Sequence, residues 1–512
     1  MSGTSLKKSS MTALVVWLVF AKSLGFIVSL ALPLLLVRKL SQAEFGSYKQ
    51  AFLVIGTAVA ILPFGFGTSA FYFLPREDNP KTKNQIILNI VLFNLVVGLA
   101  AFLMLWTSSG LFSRLFHDSK LVGLEALIGS VILFWLFSSF LETIAVANQE
   151  ARVSTVFILG AQLSKALLLL GAAIFFGTVW SLIIAALIHA IVQTVVLLWY
   201  LQIRFKGFWF SFNWPILRTQ ISYVLPYSIT ALLFTAQTDL HNYFVANRYN
   251  AATFAIYSVG CMQLPMIGIL SESLASVMIP RLSILQKENN RREIVRLMTQ
   301  VMRKLAFVHF PLYAFLMVSG REFIRWLFTD AYVGSWPIFA VNLTWIPFYV
   351  IMLDPIVRAY AEQRYFLLKL RLILFAVLVP GLWFAVGKFG PIGAIAVVVT
   401  TNLIEHLLVT VRSAKIIGFE RRDIHLLRDV SKLAVAAVVG ALGVLMVKPF
   451  LGSFKPLYVL AISGTVFVIL YVSAVLLLRI PTADERQDVL RKIVGLERVM
   501  FWRGPVQRVV ES

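Results

Sequence analysis

The sequence predicts an all-α polytopic membrane protein of about fourteen transmembrane helices. The expected arrangement is two six-helix bundles related by a pseudo-two-fold along the membrane normal, with two C-terminal helices appended. Three observations carry this. Of 512 residues, 59% are hydrophobic and only 14% are charged, whereas soluble domains carry about 25% charge. Apolar runs recur from end to end, each long enough to cross a ~30 Å hydrocarbon core with about 20 residues. Several motifs also repeat at a nearly constant offset. The composition excludes a disulfide scaffold, because Cys261 is the only cysteine. It also excludes a sizeable soluble catalytic domain, because no polar stretch is long enough to bury a core of its own.

The spans follow in order. Lys7 and Lys8 precede an apolar run that resumes after Lys22 to about Val37 with no small-x-small cleavage site. This predicts an uncleaved first helix rather than a signal peptide. The spans are expected at 11–37, 49–74, 85–106, 121–147, 154–177, 179–203, 220–246, 252–280, 303–320, 336–357, 365–387, 390–412, 430–449 and 456–479. Two long apolar stretches are each divided by a glycine turn, at Phe176-Gly177 and at Phe389-Gly390.

Lys and Arg orient the spans. With the N-terminus in the cytoplasm, inner segments hold 31 of the 46 basic residues, outer segments hold 11, and Lys22, Lys165, Lys369 and Arg371 fall within spans. That bias predicts both termini inside. It also accounts for most of the +22 net charge, which attracts anionic membrane lipids. Nucleic acid is not an expected partner, since the basic residues are spread over many loops without base-stacking motifs. Two inner segments read as interfacial amphipathic helices. One is Ile284 to Leu305, with Ile294, Leu297, Met298 and Val301 on one side. The other lies in the basic tail, residues 481–512, with Leu490, Ile493, Val494 and Met500.

The repeat divides the chain. Glu44-Phe45-Gly46-Ser47-Tyr48 answers Thr253-Phe254-Ala255-Ile256-Tyr257, 209 residues later. Leu74-Pro75-Arg76 answers Ile279-Pro280-Arg281 at 205, Ala147-Asn148-Gln149 answers Ala361-Glu362-Gln363 at 214, and Phe176-Gly177 answers Phe389-Gly390 at 213. The expected domains are a bundle at 1–206, a second at 207–415, helices 13 and 14 at 416–480, and the tail at 481–512. Six is even, so both halves enter from the same side, and a substrate site is expected between them near mid-membrane. This is transporter organisation. No metal-ligand spacing, nucleophile motif or phosphate-cradling glycine loop occurs, so no cofactor and no enzymatic activity are expected.

Further residues resemble a known family. The run from Leu34 through Arg38-Lys39-Leu40-Ser41-Gln42-Ala43-Glu44-Phe45-Gly46-Ser47-Tyr48 looks like the first-helix exit of polysaccharide flippases. Phe64-Gly65-Phe66-Gly67-Thr68, Pro75-Arg76, Gln237-Thr238-Asp239, Ile279-Pro280-Arg281-Leu282-Ser283 and Arg321-Glu322-Phe323-Ile324 with Tyr332 agree with it. The chain resembles the O-antigen/polysaccharide branch of the multidrug/oligosaccharidyl-lipid/polysaccharide exporter (MOP) superfamily over most of residues 10–415. The resemblance implies a V-shaped central cavity and alternating access. It implies transfer of a polyprenyl-diphosphate-linked oligosaccharide from the cytoplasmic to the outer leaflet of a bacterial inner membrane, supplying polysaccharide polymerase and chain-length machinery. One departure is that Asp239 is followed by Leu240, where relatives often have arginine. The rival readings are a cation-coupled multidrug exporter, a peptidoglycan-precursor flippase of the same superfamily and, from another class, a polysaccharide polymerase or ligase. The first should favour carboxylates at its site, and the last should show a large outer loop.

Charges within spans mark the candidate site, because each costs roughly 2.5–3.5 kcal/mol at mid-membrane. Lys22 lies near the centre of the first span, with Gly25, Ser29 and Pro33 at helical spacing. Lys165 is central in the fifth, with Ala161 and Gln162 one turn earlier. Both lysines suit a diphosphate as point charges, and both could instead pair with an acid. Glu142, Asp239, Glu272 and Glu405 are candidate proton carriers or partners for the lysines. His189, Gln193, His241 and His406 are candidate coupling groups or helix–helix hydrogen-bond partners. Tyr223, Tyr227, Thr230, Phe234, Gln237 and His241 share one face of the seventh span, with Asp239 on roughly the opposite face. Such a face suits sugars, and equally suits packing and interfacial belts. Asp354, Arg358, Lys369 and Arg371 lie near the inner surface and read as interfacial or as guards of the entrance.

Overall fold

The computed structural model describes residues 24–25, 27–28, 31–288, 290–351, 356–357 and 364–480, and every regular element among them is helical. Eight helices there are long and apolar enough to cross a membrane, or nine if a bent pair at Gln42–Ile61 and Phe66–Arg76 is one span. The protein is a multi-pass membrane protein. These elements do not fix the count at fourteen: most of the first span lies outside the described residues, and the helices at the expected seventh, eighth and tenth spans are not among those eight.

Helix starts are set by small polar caps that satisfy first-turn N–H groups. Ser41 caps α1 (Gln42–Ile61) by accepting from the Glu44 N–H at 3.1 Å. The second span then breaks at residues 62–65, where Phe64 and Gly65 both take positive φ, and resumes at a 43° bend. Asn79 caps α2 (Pro80–Thr107), whose first residue is a proline that needs no partner there. The helices α3 (Glu125–Ala147), α4 (Ala151–Phe175) and α5 (Val179–Arg204) follow. The α4–α5 turn is the expected one at Gly177, and Thr178 caps α5. Asn213 caps α6 (Trp214–Arg248), and Asn250 caps α7 (Ala251–Gly260). The helix expected over 252–280 is broken after α7, and α8 (Pro265–Lys287) follows in the chain. Then come α9 (Arg291–Phe328), α10 (Trp336–Leu343), α11 (Arg364–Ile417), α12 (Arg428–Val447) and α13 (Pro456–Leu477).

The long α11 is two spans. Gly390 interrupts it with φ 68° and ψ −153°, a conformation essentially reserved for glycine. A Cβ at Gly381 would lie 3.3 Å from Val397, and one at Gly393 would lie 2.5 Å from the Ala385 carbonyl oxygen. Arg371 pairs with Glu405. Constant pairing sums of this kind define two antiparallel arms, matching the eleventh and twelfth spans.

The chain forms two compact units. The first comprises Met1–Gln263, Ile324–Asn342 and Glu362–Leu407. Its core runs from Phe66, Ala70 and Leu74 through Ile87 and Ile90 to Phe140, Leu141, Leu197 and Phe208. In lipid, helices gain little from apolar burial as such and associate by close packing. Gly46 shows this: a Cβ there would run into the Ala251 carbonyl, so α1 and α7 touch backbone to backbone. Polar pairs then fix the register. Asn89 donates to Gln220 at 3.1 Å, and Gln220 donates to Ser69 at 3.2 Å.

The second unit comprises Leu264–Phe323, Leu343–Ala361 and Leu408–Ser512. Its core joins Met298, Val301, Leu305, Leu433, Ala437, Phe467 and Tyr471. This corrects the interfacial reading of 284–305. From Arg291 onward the segment is the first part of α9, continuous with the ninth span, and its apolar side is buried in protein rather than laid on lipid. Periodicity reports one apolar face but not what covers it. The tail at 481–512 lies outside the described residues.

Candidate functional site

In the first unit, α3, α4 and α5 line a half-open cavity of about 160 Å³. Each helix contributes one stripe at i, i+3, i+4, i+7 spacing. Trp135, Ser138, Ser139 and Glu142 come from α3, Ile158, Ala161, Gln162 and Lys165 from α4, and His189 and Gln193 from α5. The cavity is polar inside an apolar bundle, so its groups face one another instead of lipid.

Lys165 is held without a carboxylate. Its Nζ lies 4.6 Å from the Trp135 ring centroid, and no acid among the described residues pairs with it. Trp135 is itself fixed by two edge-on rings, Phe52 of α1 at 6.1 Å and His189 at 6.0 Å. His189 Nδ1 is 3.1 Å from the Ser164 hydroxyl, to which Gln193 also donates at 3.4 Å. Glu142 lines the cavity beside these groups. Lys49, three residues before Phe52 on α1, lies within electrostatic reach of Lys165. Its Nζ sits 5.4 Å from the Phe45 ring centroid.

Lys49 was missed by sequence reasoning. The apolar window opens at residue 49, which leaves this lysine on an outer loop. The signal was present in Ser41-Gln42-Ala43-Glu44, a capping-box pattern that starts the helix at Gln42. Trp135 was also missed, because a tryptophan in an apolar run carries no mark of a cation on its face.

A second constellation joins α6 to both arms of α11. Arg371 Nε donates to Glu405 Oε1 at 3.1 Å, and Gln237 Nε2 donates to Glu405 Oε2 at 3.2 Å. The Arg371 guanidinium lies 5.0 Å from the Phe234 centroid. Arg371 is therefore tied to a carboxylate within the protein. Elsewhere along α6, Asp239 accepts from Thr57 at 3.5 Å and His241 contacts the Tyr257 hydroxyl at 2.7 Å. Tyr223 lies near the start of α6, stacked on Tyr72 at 4.4 Å. Lys369 is exposed.

The structure thus brings Lys165, Gln162, Glu142 and His189 together, and separately Gln237 and Glu405. Lys22, Ser29, Asp354 and Arg358 lie outside the described residues. For Tyr227, Thr230 and Glu272 only the backbone is described. Among the described residues no cluster of His, Cys, Asp and Glu could hold a metal ion.

No curated protein matches the chain. Solved structures do. The lipid II flippase MurJ in an inward closed conformation matches with a TM-score of 0.71 at 15% identity, over 91% of this chain and 99% of that one. An inward-facing multidrug resistance MATE family transporter of the MOP superfamily matches with a TM-score of 0.56 at 15% identity, over 77% and 94%. A MOP superfamily transporter from Pyrococcus furiosus, described by the reverse polarity of its binding pocket, matches with 0.53 at 16% identity, over 80% and 96%. These likenesses show a shared fold, and the proteins that share it are transporters and flippases rather than enzymes. The polysaccharide biosynthesis protein family matches residues 35–337. That is more than half of the sequence, and the chain therefore belongs to the polysaccharide biosynthesis protein family, built on the fold of the MOP-superfamily transporters.

Proposed function

We propose that this protein flips a polyprenyl-diphosphate-linked oligosaccharide from the cytoplasmic to the outer leaflet of a bacterial inner membrane by alternating access. Both termini would then face the cytoplasm, with bundles at 1–206 and 207–415 moving about the central site. The observation that carries the reading is Lys165, a cation within a span that faces a polar cavity and lies on a ring instead of an acid. Retaining a charge there costs roughly 2.5–3.5 kcal/mol. An anionic cargo gives that cost a purpose, and a cationic drug would be repelled. The family's description supplies the polysaccharide, and the likeness to a lipid II flippase supports a lipid-borne cargo.

The cavity's size suits one part of the cargo. About 160 Å³ holds a phosphate-sized headgroup, with the oligosaccharide outside it. Lys165 and Lys49 would meet the diphosphate as point charges, while Gln162, Ser138 and Gln193 offer hydrogen bonds. Lys22 and Ser29 are proposed to extend this site. Glu142, Asp239, Glu272, Glu405, His189 and His241 are proposed as cavity or coupling groups. The membrane potential supplies direction. A charge crossing the membrane is worth about 2.3 kcal/mol per 100 mV, so an inside-negative potential favours outward movement of the anion. It equally favours inward return of the empty cationic site. The cargo delivered outside would feed polysaccharide polymerase and chain-length machinery.

The test is the leaflet distribution of polyprenyl-diphosphate-linked oligosaccharide in depleted cells complemented with wild type or Lys165→Ala. Accumulation facing the cytoplasm on depletion, rescued by wild type and not by the variant, is expected. A normal distribution with hypersensitivity to cationic drugs would overturn the reading in favour of a multidrug exporter.

A further inference from the structure

We propose that Tyr223, Tyr72 and Arg76 form a docking platform for the first sugar of the lipid-linked cargo, separate from the Lys165 cavity. This rests on the flippase reading and adds to it a subsite for the sugar. The three side chains make one stack. The Arg76 guanidinium lies 3.6 Å from the Tyr72 centroid, and on its other side Tyr72 stacks on Tyr223 at 4.4 Å with the rings 28° apart. Phe73 braces both tyrosines edge-on, at 5.0 and 5.5 Å. Tyr72 is thus covered by its neighbours, while Tyr223 is 48% exposed and ends the stack.

The stack is held on rigid backbone. Gln220, one turn before Tyr223, donates to Ser69 at 3.2 Å. Ser228, just after Tyr223, hydrogen-bonds the Phe64 carbonyl. These two tethers fasten the segment that carries Tyr72 and Arg76 to the helix that carries Tyr223. A ring that merely anchors a protein at the lipid interface requires no such clamping.

The chemistry selects a sugar. The C–H face of a pyranose carries weak positive charge and fits the negative face of an aromatic ring. The phenol hydroxyls and the guanidinium N–H groups lie at the edges of their stacked planes. Among the described residues none of these polar tips makes a hydrogen bond within the protein, and Arg76 has no ion pair. They are therefore available to sugar hydroxyls. On the predicted orientation both segments open to the cytoplasm, the side on which the cargo would be collected.

The experiment uses the full chain in nanodiscs and two probes, a short-chain polyprenyl diphosphate bare or bearing one N-acetylhexosamine. Wild type is expected to bind the sugar-bearing probe about tenfold more tightly. Tyr223→Leu should bring the two affinities within about twofold while leaving the bare probe's affinity unchanged, and Tyr223→Phe should keep the preference. Lys165→Ala should weaken both probes and preserve their ratio. A preference that survives Tyr223→Leu, or is absent from wild type, overturns the platform. Equal competition by phosphatidylglycerol vesicles would also overturn it and mark the stack as a lipid anchor. Failure of wild type to bind even the bare diphosphate would instead overturn the flippase reading, and the platform with it.

Discussion

Breaking the Arg371–Glu405 pair should loosen the α11 hairpin by a measurable amount. The guanidinium Nε and the carboxylate are 3.1 Å apart, with the two side chains 20% and 18% exposed. At an effective dielectric of 20 the gross attraction at that separation is about 5 kcal/mol. Desolvation removes much of it, as for any half-buried pair. A net coupling of about 1–3 kcal/mol remains, well above the ~0.5 kcal/mol of exposed pairs. Glu405→Gln keeps the shape and a carbonyl oxygen for Gln237, but leaves Arg371 a lone charge beside Phe234. It should therefore destabilise by about 2–3 kcal/mol. The assay is SDS unfolding of purified protein in bicelles, run as a double-mutant cycle of Glu405→Gln, Arg371→Leu and the double variant. The double variant should be more stable than the sum of single losses predicts, by at least about 1 kcal/mol. Additivity within about 0.5 kcal/mol would refute the reasoning and reduce the pair to a contact without energetic consequence.

Three further outcomes follow from the packing. Gly46→Val should prevent α1 from reaching α7, because its first side-chain atom would overlap the Ala251 carbonyl, and folded yield in membranes should fall sharply. Gly56→Ala on the same helix, with nothing within 4 Å, is the neutral control. Gly390→Ala should cost about 1–3 kcal/mol by forcing a Cβ into a glycine-only conformation, read by the same unfolding assay. Trp135→Leu removes the ring under Lys165, a contact worth about 2 kcal/mol when desolvated. Transport should fall, Trp135→Phe should retain part of it, and adding Trp135→Leu to Lys165→Ala should change little.

The legible parts of the fold were those set by the bilayer and by backbone geometry. Hydrocarbon thickness dictates apolar runs long enough to read, and a helical hairpin needs a residue that tolerates positive φ, which exposes Gly177 and Gly390 in their apolar surroundings. A charged or amide side chain within a span is conspicuous, so Lys165, Gln162 and Glu405 were visible. Hydropathy failed where lipid and protein offer the same solvent. It could not tell that Ile294, Met298 and Val301 pack against α12 and α13 residues instead of the membrane surface. It opened the second span two turns too late, at residue 49, and so hid Lys49. The Tyr72–Tyr223 stack was beyond reach for another reason, since it joins residues 151 positions apart and no local period records such a contact.

Lys49, Lys165 and Arg371 divide by what covers them, and that division argues for which of them serves transport. Each lies near an aromatic ring: Lys49 by Phe45, Lys165 by Trp135 and Arg371 by Phe234. A ring lowers the cost of a desolvated cation by about 2 kcal/mol and leaves its charge in place, while a carboxylate cancels it. Arg371 has both, and its charge is consumed in holding the α11 arms to α6. Among the described residues Lys49 and Lys165 have only rings, although Glu142 lines the same cavity as Lys165. Two like charges within reach of each other repel, and the helices bear that repulsion in the empty state. A bound dianion would relieve it. The same two lysines without an anion would be a standing cost, so substituting either by methionine should stabilise the empty protein while abolishing transport. Stabilisation without loss of transport would remove the lysines from the mechanism.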